Sequence, residues 1–503
     1  MSAIIQYLER HGPSLSTDVA HHLVKLRSIK PATARQQVSR MPPEVKRLAY
    51  ITFPRNARFV YLVEQYGSPL FWHNLIQALE VTNSAYGAAL AAVRARGGVV
   101  PLPHFEIVSG SPVRQKKHLS AERVLTHLVE SKLLVKCPVD GIGECVALPK
   151  GEPFMEIDAR EVRARLLAEG VLISAVANWL RNNGIVSYGR VARRDKGAIP
   201  KVGTAAWDVT APCYLAGLLP RSSAASAKDN PAFFVSDLLL GRVDAQSVRP
   251  FVRKCMALRS LRRVSPCLQM FVADGYTADA RDLLKRNGII AATTGSLFGK
   301  EVAAGLRELV SFFKSIIDGS NSGIARFDEL LSRINVIEGA ALQLRGTLFE
   351  FLCERIAMHE FGARRTYMNR TYVSPTDSTK KAEVDVAAEY GNKKIVFIEC
   401  KSTSAYSTVP DEQFARWLQH NVPTVFERTR AEGDWRNHEL SFEFWASAPL
   451  TDVSQQLYAS MKATINPNRY SVNVRLGDDL SRMCEDMGDP SIITAFDKHF
   501  QRK

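Results

Sequence analysis

Two acidic residues and one basic residue in the last third of the chain fall within one predicted hairpin. A Gly-Asn pair joins two predicted strands, and a turn centred on it places Asp385 opposite Ile398 or Glu399. Because side chains alternate along a strand, Glu399 and Lys401 share one face. Two carboxylates and one amine therefore converge at one end of the hairpin. Carboxylate oxygens are hard donors, and an ammonium group can stabilise negative charge that develops during a reaction.

The strand that carries Glu399 is predicted to lie at the centre of a sheet. The residues before it, 395–398, are apolar on both faces, which is typical of a strand covered by helices on both sides. An amphipathic helix that carries Glu350 precedes the hairpin. The strand–helix–strand pattern of 442–476 repeats the one in 231–330, although two short segments do not establish a duplication.

Asp385, the triplet Glu399-Cys400-Lys401 and an acidic residue on the preceding helix together resemble the PD-(D/E)XK nuclease superfamily. This superfamily includes many restriction endonucleases, Mrr-like enzymes and Holliday-junction resolvases. The resemblance covers roughly residues 335–480. Val384 stands where the name of the superfamily has proline, a position that varies among its members.

The resemblance implies that Asp385 and Glu399 bind Mg²⁺ or Mn²⁺, and that Glu350 completes the site directly or through water. Lys401 would orient the attacking water or help to deprotonate it. The implied reaction is hydrolysis of phosphodiester bonds, because the metal acidifies water and polarises the phosphate. A role in restriction or anti-phage defence is consistent with the resemblance, since such enzymes often join DNA-binding domains to this fold, but no residue indicates it.

Other interpretations of these residues remain open. An acid two residues before a lysine is common by chance and would then form a surface ion pair. Glu350 could lie on a solvated helix face, and Glu354 competes with it for the role of helix acid. On the helix after the hairpin, Gln413 and Arg416 could hold phosphate or lie at the surface.

The net charge of +15 is unevenly distributed along the chain. Residues 1–330 account for +16, whereas the remaining residues are close to neutral at −1. A basic surface attracts nucleic acid through counterion release, although it can also serve solubility alone. The eight cysteines are scattered without a CxxC pair, which argues against a zinc ribbon and favours a cytoplasmic location. No apolar run reaches the ~18–20 residues of a membrane span, so no membrane partner is expected.

The first 66 residues are predicted to form a winged helix-turn-helix. Three helices are followed by two apolar runs, 48–53 and 58–63, with a turn between them. In that family the third helix enters the major groove of DNA and the hairpin tip contacts the backbone. Alternatively, the third helix serves protein contacts or packing. The residues predicted to contact nucleic acid are Arg35, Gln36, Ser39 and Arg40 on the helix, and Arg55 and Arg58 on the wing.

The predicted fold class is multidomain α+β and α/β, with N-terminal tandem winged helix-turn-helix modules followed by a restriction-endonuclease-like mixed-sheet α/β domain. The rhythm of helices and strands predicts a second winged-helix-like module in 67–150 and a third in 151–220. An α/β connecting domain is predicted in 231–330 and the nuclease-like domain in 335–503. The predicted wing of the third module carries Arg190, Arg193 and Arg194.

The sequence therefore favours a Mg²⁺-dependent endonuclease delivered to duplex DNA by basic N-terminal modules. One alternative is a DNA-binding regulator or scaffold whose nuclease fold is inert. Another is an RNA or tRNA nuclease, because a basic array holds either polymer. Cleavage of both strands would need two active sites, which a homodimer would supply. Other defence-system proteins are further candidate partners.

Overall fold

The computed structural model describes residues 2–116, 118–139, 142–149, 158–196, 198–215, 232–261, 264–317, 326–334, 340–391, 393–403, 407–431 and 435–501. The chain divides into two compact units. The first unit comprises Met1–Cys137, Glu144–Asp158 and Val176–Ala303, and the second comprises Pro138–Gly143, Ala159–Ala175 and Ala304–Lys503. Within the described ranges, no helix combines the length and the apolar character needed to cross a membrane.

The helices, in chain order, are α1 (Ala3–His11), α2 (Ser16–Arg27), α3 (Pro31–Ser39), α4 (Pro69–Val81), α5 (Ala85–Ala95), α6 (Phe105–Val108), α7 (Ala121–Glu130), α8 (Ala159–Asn182), α9 (Ala245–Arg259), α10 (Ala278–Arg286), α11 (Thr294–Phe298), α12 (Lys300–Ile317), α13 (Phe327–Ile334), α14 (Ala340–Phe361), α15 (Asp411–Arg416), α16 (Val422–Ala431), α17 (Asp452–Thr464), α18 (Gly477–Met487) and α19 (Pro490–His499).

The strands are β1 (Ser14–Leu15), β2 (Val45–Arg47), β3 (Phe59–Leu62), β4 (Val99–Pro101), β5 (Val135–Val139), β6 (Gly143–Ala147), β7 (Ala192–Arg193), β8 (Lys201–Val202), β9 (Ala205–Ala206), β10 (Val209–Cys213), β11 (Ala232–Val243), β12 (Cys267–Tyr276), β13 (Ile290–Thr293), β14 (Arg365–Val373), β15 (Lys381–Tyr390), β16 (Lys394–Lys401), β17 (Glu439–Ala446) and β18 (Ser471–Arg475).

The N-terminal 66 residues contain three helices, α1 to α3, and a small sheet of order β1-β3-β2. The predicted strand at 48–53 is wrong, because the strand that pairs with β3 is β2, just before it. Leu48, Ile51 and Phe53 are buried core residues, so their apolar pattern reflects packing rather than strand alternation. A short 3₁₀ turn follows at Pro54–Asn56, close to the predicted turn.

The first unit also contains a five-stranded sheet of order β13-β12-β11-β10-β7. Strands β11, β12 and β13 are parallel, with α9 and α10 as their connections, which agrees with the α/β pattern predicted for 231–330. Strands β7 and β10 pair antiparallel with this sheet. The prediction that 151–220 forms a winged-helix module separate from 231–330 is therefore wrong, since strands from both segments share one sheet.

The second unit contains a five-stranded mixed sheet of order β14-β15-β16-β17-β18. Strands β14 to β16 are antiparallel, and β16 to β18 are parallel. As predicted, β16 is the central strand, and its residues 395–398 are buried. Helix α14 packs against β15 and β16, while Phe397 of β16 belongs to an apolar cluster with Phe414 and Trp417. Both residues lie in the helical segment that follows the hairpin.

Candidate active site

The register of the β15–β16 hairpin places two acidic residues side by side. Val386 pairs with Ile398, so the next position along each strand sets Asp385 opposite Glu399, one of the two predicted alternatives. Asp385 Oδ2 accepts a hydrogen bond of 2.7 Å from the backbone N–H of Cys400. The carboxyl group of Asp385 is thereby held against β16, just beyond the last paired residues of the two strands.

Lys401 links these two carboxylates. Its Nζ lies 2.6 Å from Glu399 Oε1 and 3.9 Å from Asp385 Oδ2. The side chains of Asp385, Glu399 and Lys401 are 13%, 11% and 28% exposed, so the cluster is shielded from water but still accessible from outside. A surface ion pair would be far more solvated, and charges in such a shielded position interact strongly.

Of the two candidate helix acids, Glu350 is the one that faces this cluster. Glu350 is partly buried on α14 and interacts electrostatically with Asp385 and Lys401. Glu354, one turn later, accepts a hydrogen bond of 2.7 Å from Thr366 Oγ1 at the start of β14. That bond holds the Glu354 carboxylate beside β14 and away from Lys401.

Three side chains near the cluster were not among the predicted site residues. Glu383 lies two residues before Asp385 and interacts with Glu399 and Lys401. Asn421 Nδ2 donates a hydrogen bond of 3.4 Å to Glu399 Oε2. Asn369 forms a side-chain hydrogen bond with Glu350. The two-residue spacing of Glu383 from Asp385 is a sequence signal for a shared strand face, whereas the two asparagines have no such signal.

Arg163, on α8, also belongs to this site although it lies far upstream in the sequence. Its guanidinium carbon is 5.3 Å from the centre of the Phe351 ring, next to Glu350 on α14. Ser174 and Gln343 hold the same two helices together with a side-chain hydrogen bond of 2.7 Å. The positive charge of Arg163 acts to lower the pKa of Glu350.

The two residues considered on the helix after the hairpin differ in their placement. Gln413 and Arg416 are both exposed on α15. The charge of Arg416 acts to lower the pKa of Glu383, against the larger rise that burial causes. Arg416 can therefore reach the rim of the site, whereas Gln413 is placed as an ordinary surface residue.

Three acids of the site, Asp385, Glu350 and Glu383, have raised pKa values. Burial, reinforced by repulsion from Glu399, raises the pKa of Asp385 well above its ordinary value. Burial raises the pKa of Glu350 to about 7, and burial followed by repulsion from Glu399 raises that of Glu383. Burial also acts to lower the pKa of Lys401, but Asp385 and Glu399 outweigh it and the pKa is raised. When its carboxyl groups are ionised, the site therefore holds more negative charge than Lys401 balances.

This donor set fits a hard divalent cation in its chemistry. Carboxylate oxygens from Asp385, Glu399 and Glu350 are the ligands that Mg²⁺ and Mn²⁺ prefer, and a cation would offset the unbalanced charge. Among the described residues, however, no three His, Cys, Asp or Glu side chains are grouped so that they could hold a metal ion. The acids instead surround the Lys401 ammonium group.

The predicted nucleic-acid-binding residues of the N-terminal segment lie on two sides of α3. Arg35, Arg55 and Arg58 line a groove of about 920 Å³ together with Arg47. The groove runs between α3, the start of α2 and the turn at 54–58. Gln36 and Arg40 line a second groove, which also contains Arg27. Ser39 lines the first groove.

The predicted basic wing at 190–194 is wrong for two of its three arginines. Arg190 is exposed. The Arg193 side chain is only 12% exposed and lies 3.2 Å from Asp195. Arg194 is 4% exposed and lies 3.2 Å from the buried Asp208. Strand β7 joins the five-stranded sheet, which places these arginines against acidic partners instead of on a projecting turn.

No protein-family model matches this chain, and no curated protein matches its sequence. Solved structures that are similar to parts of it include AF1548, a protein of unknown function, at 13% identity and a TM-score of 0.20 over 28% of this chain and 67% of that chain. The MspJI restriction endonuclease in complex with a 27-mer oligonucleotide is 16% identical, with a TM-score of 0.19 over 44% of this chain and 49% of that chain. The restriction endonuclease FokI is 10% identical, with a TM-score of 0.20 over 88% of this chain and 78% of that chain. This chain thus spans about half the length of the MspJI chain, and TM-scores near 0.20 do not by themselves establish a fold or an activity.

Proposed function

We propose that this protein is a metal-dependent nuclease that hydrolyses phosphodiester bonds in DNA. The observation that supports this function is the convergence of Asp385, Glu399 and Lys401 at the end of a hairpin, with Glu350 beside them. The hairpin belongs to a mixed sheet with a helix before and after it, in the order that the PD-(D/E)XK resemblance implies.

Each residue of the cluster has a distinct role in this proposal. Asp385 and Glu399, together with Glu350, would hold Mg²⁺ or Mn²⁺, which when bound acidifies water and neutralises charge on the phosphate. The Cys400 N–H fixes the orientation of Asp385. Lys401 would orient the attacking water and stabilise the negative charge that grows on the phosphoryl oxygens. The Lys401 ammonium group, which contacts Glu399 and Asp385 in this structure, is near enough to the acids to act on a phosphate held beside them.

DNA would be held mainly by the N-terminal part of the chain. We propose that residues 1–66 act as a winged helix-turn-helix whose groove between α3 and the turn at 54–58 receives the sugar-phosphate backbone. Four arginines line this groove. Their contacts with a bound phosphate chain would release the counterions of that chain. A defence role such as restriction is the setting that we propose for a cleavage site joined to such a module.

The direct test is incubation of the purified protein with plasmid DNA and with RNA, in the presence of Mg²⁺ and in the presence of EDTA. We expect cleavage of DNA that requires Mg²⁺ and that is lost in the Asp385→Asn variant. Cleavage of RNA alone would reassign the substrate. DNA binding without cleavage of either polymer would instead indicate a scaffold with an inert nuclease fold.

Replacing Arg55 and Arg58 together with alanine is expected to weaken DNA binding to a similar degree for all sequences. Both side chains are exposed on the groove, where they would meet phosphates rather than bases. The slope of log affinity against log salt should become shallower by roughly 1 per lost contact. Fluorescence anisotropy over a salt series measures both changes. Arg286→Ala, an 80% exposed arginine of α10, serves as the control and should leave the slope unchanged.

The affinity of the site for Mg²⁺ is expected to rise as the pH rises through about 7, the raised pKa of Glu350. Below their raised pKa values Glu350 and Asp385 hold protons, which a cation must displace, and above them both acids are ionised. The Mg²⁺ concentration that gives half-maximal cleavage should therefore be lower at about pH 8 than at about pH 6. Calorimetry in buffers of different ionisation enthalpy should show proton release on binding. The same half-saturation at both pH values would contradict this prediction.

A further inference from the structure

The helix that follows the hairpin is interrupted beside the candidate active site. Helix α15 ends at Arg416, a π-helical turn spans Trp417–Asn421, and α16 begins at Val422. Such turns within α-helices are rare and are frequent at functional sites. Trp417 and Val422 at the two ends of the segment are buried in the apolar core. Asn421, at the end of the π-helical turn, is thereby placed beside β16.

Asn421 engages the oxygen of Glu399 that Lys401 leaves available. Its Nδ2 donates to Glu399 Oε2 at 3.4 Å, while Lys401 Nζ lies 2.6 Å from Glu399 Oε1. The two oxygens of the carboxylate therefore have different partners, which fixes the rotation of the group. A carboxylate that binds a metal gains from such an outer partner, because its orientation is set before the metal arrives.

The other polar atom of the Asn421 amide has no partner among the described residues. Its Oδ1 is buried and accepts no hydrogen bond, an arrangement that is costly unless a bound molecule supplies a donor. A small cavity of about 10 Å³, roughly the room that one water needs, adjoins it and is lined by Glu383, Glu399 and Asn421 together with apolar side chains. A site of this kind combines space for a water molecule with the several polar partners that a buried water needs.

We propose that Asn421 is a positioning residue of the active site, which orients Glu399 through its Nδ2 and accepts a hydrogen bond at Oδ1 from a water molecule in this cavity. The inference rests on the proposed nuclease function. Asn421 acts on the reaction only through Glu399 and the water. Loss of its amide should therefore change turnover and metal use more than the binding of DNA.

The test compares Asn421→Ala, Asn421→Asp and Gln419→Ala in the full-length protein. Gln419 is exposed two residues earlier in the same π-helical turn and is the matched control. Asn421→Ala should lower kcat for DNA cleavage about 10–100-fold, with KM for DNA unchanged and Mn²⁺ affinity, measured by calorimetry, weakened. Asn421→Asp keeps the size of the side chain but adds a negative charge against Glu399. Its cleavage should be as poor as that of Asn421→Ala or poorer, because a carboxylate cannot donate to Glu399 and repels it.

The outcomes separate this inference from the nuclease proposal. If the parent protein cleaves DNA and both Asn421 variants match it in kcat and Mn²⁺ affinity, the inference is wrong and the nuclease function stands. An equal loss in Gln419→Ala would also overturn the inference, because it would indicate that the turn matters only for folding. If the parent protein and every variant fail to cleave, the nuclease proposal fails and the positioning role fails with it.

Discussion

Lys401→Ala is expected to lower the rate of DNA cleavage by on the order of 10²–10³-fold while leaving DNA binding intact. The ammonium group lies 2.6 Å from Glu399 and 3.9 Å from Asp385, so its charge is focused on the cluster that would meet the phosphate. Lysine is not a metal ligand here, and Mn²⁺ binding should therefore survive the substitution. Conversion of supercoiled plasmid on gels measures the rate, and anisotropy measures DNA binding.

Asp385→Asn should differ from Lys401→Ala in one respect. The amide keeps the shape of the side chain and can still accept a hydrogen bond from the Cys400 N–H, but it removes an anionic ligand, so metal affinity and cleavage should fall together.

Glu350→Gln should resemble Asp385→Asn, whereas Glu354→Gln should cleave as the parent does. Lys394→Ala, a half-exposed lysine on the same strand, is the control. If Lys401→Ala cleaves as fast as the parent, this cluster is not a nuclease site and the protein is a DNA-binding scaffold.

The core of this site could be predicted from the sequence because its determinants are local. The position of the turn and the alternation of side chains are enough to set Asp385 near Glu399 and to place Lys401 on the face of Glu399. The unbroken apolar run at 395–398 likewise predicted a central strand, which the sheet order confirms. The choice between Glu350 and Glu354 needed the structure, since both lie on the same helix, one turn apart.

The remaining residues of the site depend on contacts that no local pattern encodes. Arg163 reaches the site because α8 lies along α14, a pairing between distant segments of the chain. Asn421 reaches Glu399 through a π-helical turn, whereas an ordinary helical period would turn its side chain elsewhere. Arg194 was predicted to be exposed because it lies in a basic run. A charge count does not reveal a buried acidic partner such as Asp208.

A second buried charge cluster lies in the first unit, and a substitution in it is expected to lower the stability of that unit. Lys254 is 1% exposed, and its Nζ lies 2.5 Å from Asp237 Oδ2, 2.8 Å from the carbonyl oxygen of Ala206 and 4.4 Å from the centre of the Trp207 ring. Lys254→Met keeps most of the apolar stem but leaves Asp237 buried without its cation. The free energy of unfolding of this unit should fall by about 3–5 kcal/mol, as measured by urea denaturation.

The pH dependence of this loss follows from the state of Asp237. Burial raises the pKa of Asp237 to about 6 even though Lys254 opposes the shift, so the folded unit binds this proton more tightly than the unfolded chain does. Without Lys254 the pKa of Asp237 should rise further, and the destabilisation should be larger at about pH 8, where Asp237 must ionise, than at about pH 5, where it stays neutral.

Adding Asp237→Asn to Lys254→Met should restore part of the stability at the higher pH. The exposed Lys285→Met should change the free energy of unfolding by no more than about 0.5 kcal/mol. A loss below about 1 kcal/mol in Lys254→Met at the higher pH would show that Asp237 is solvated or paired without Lys254.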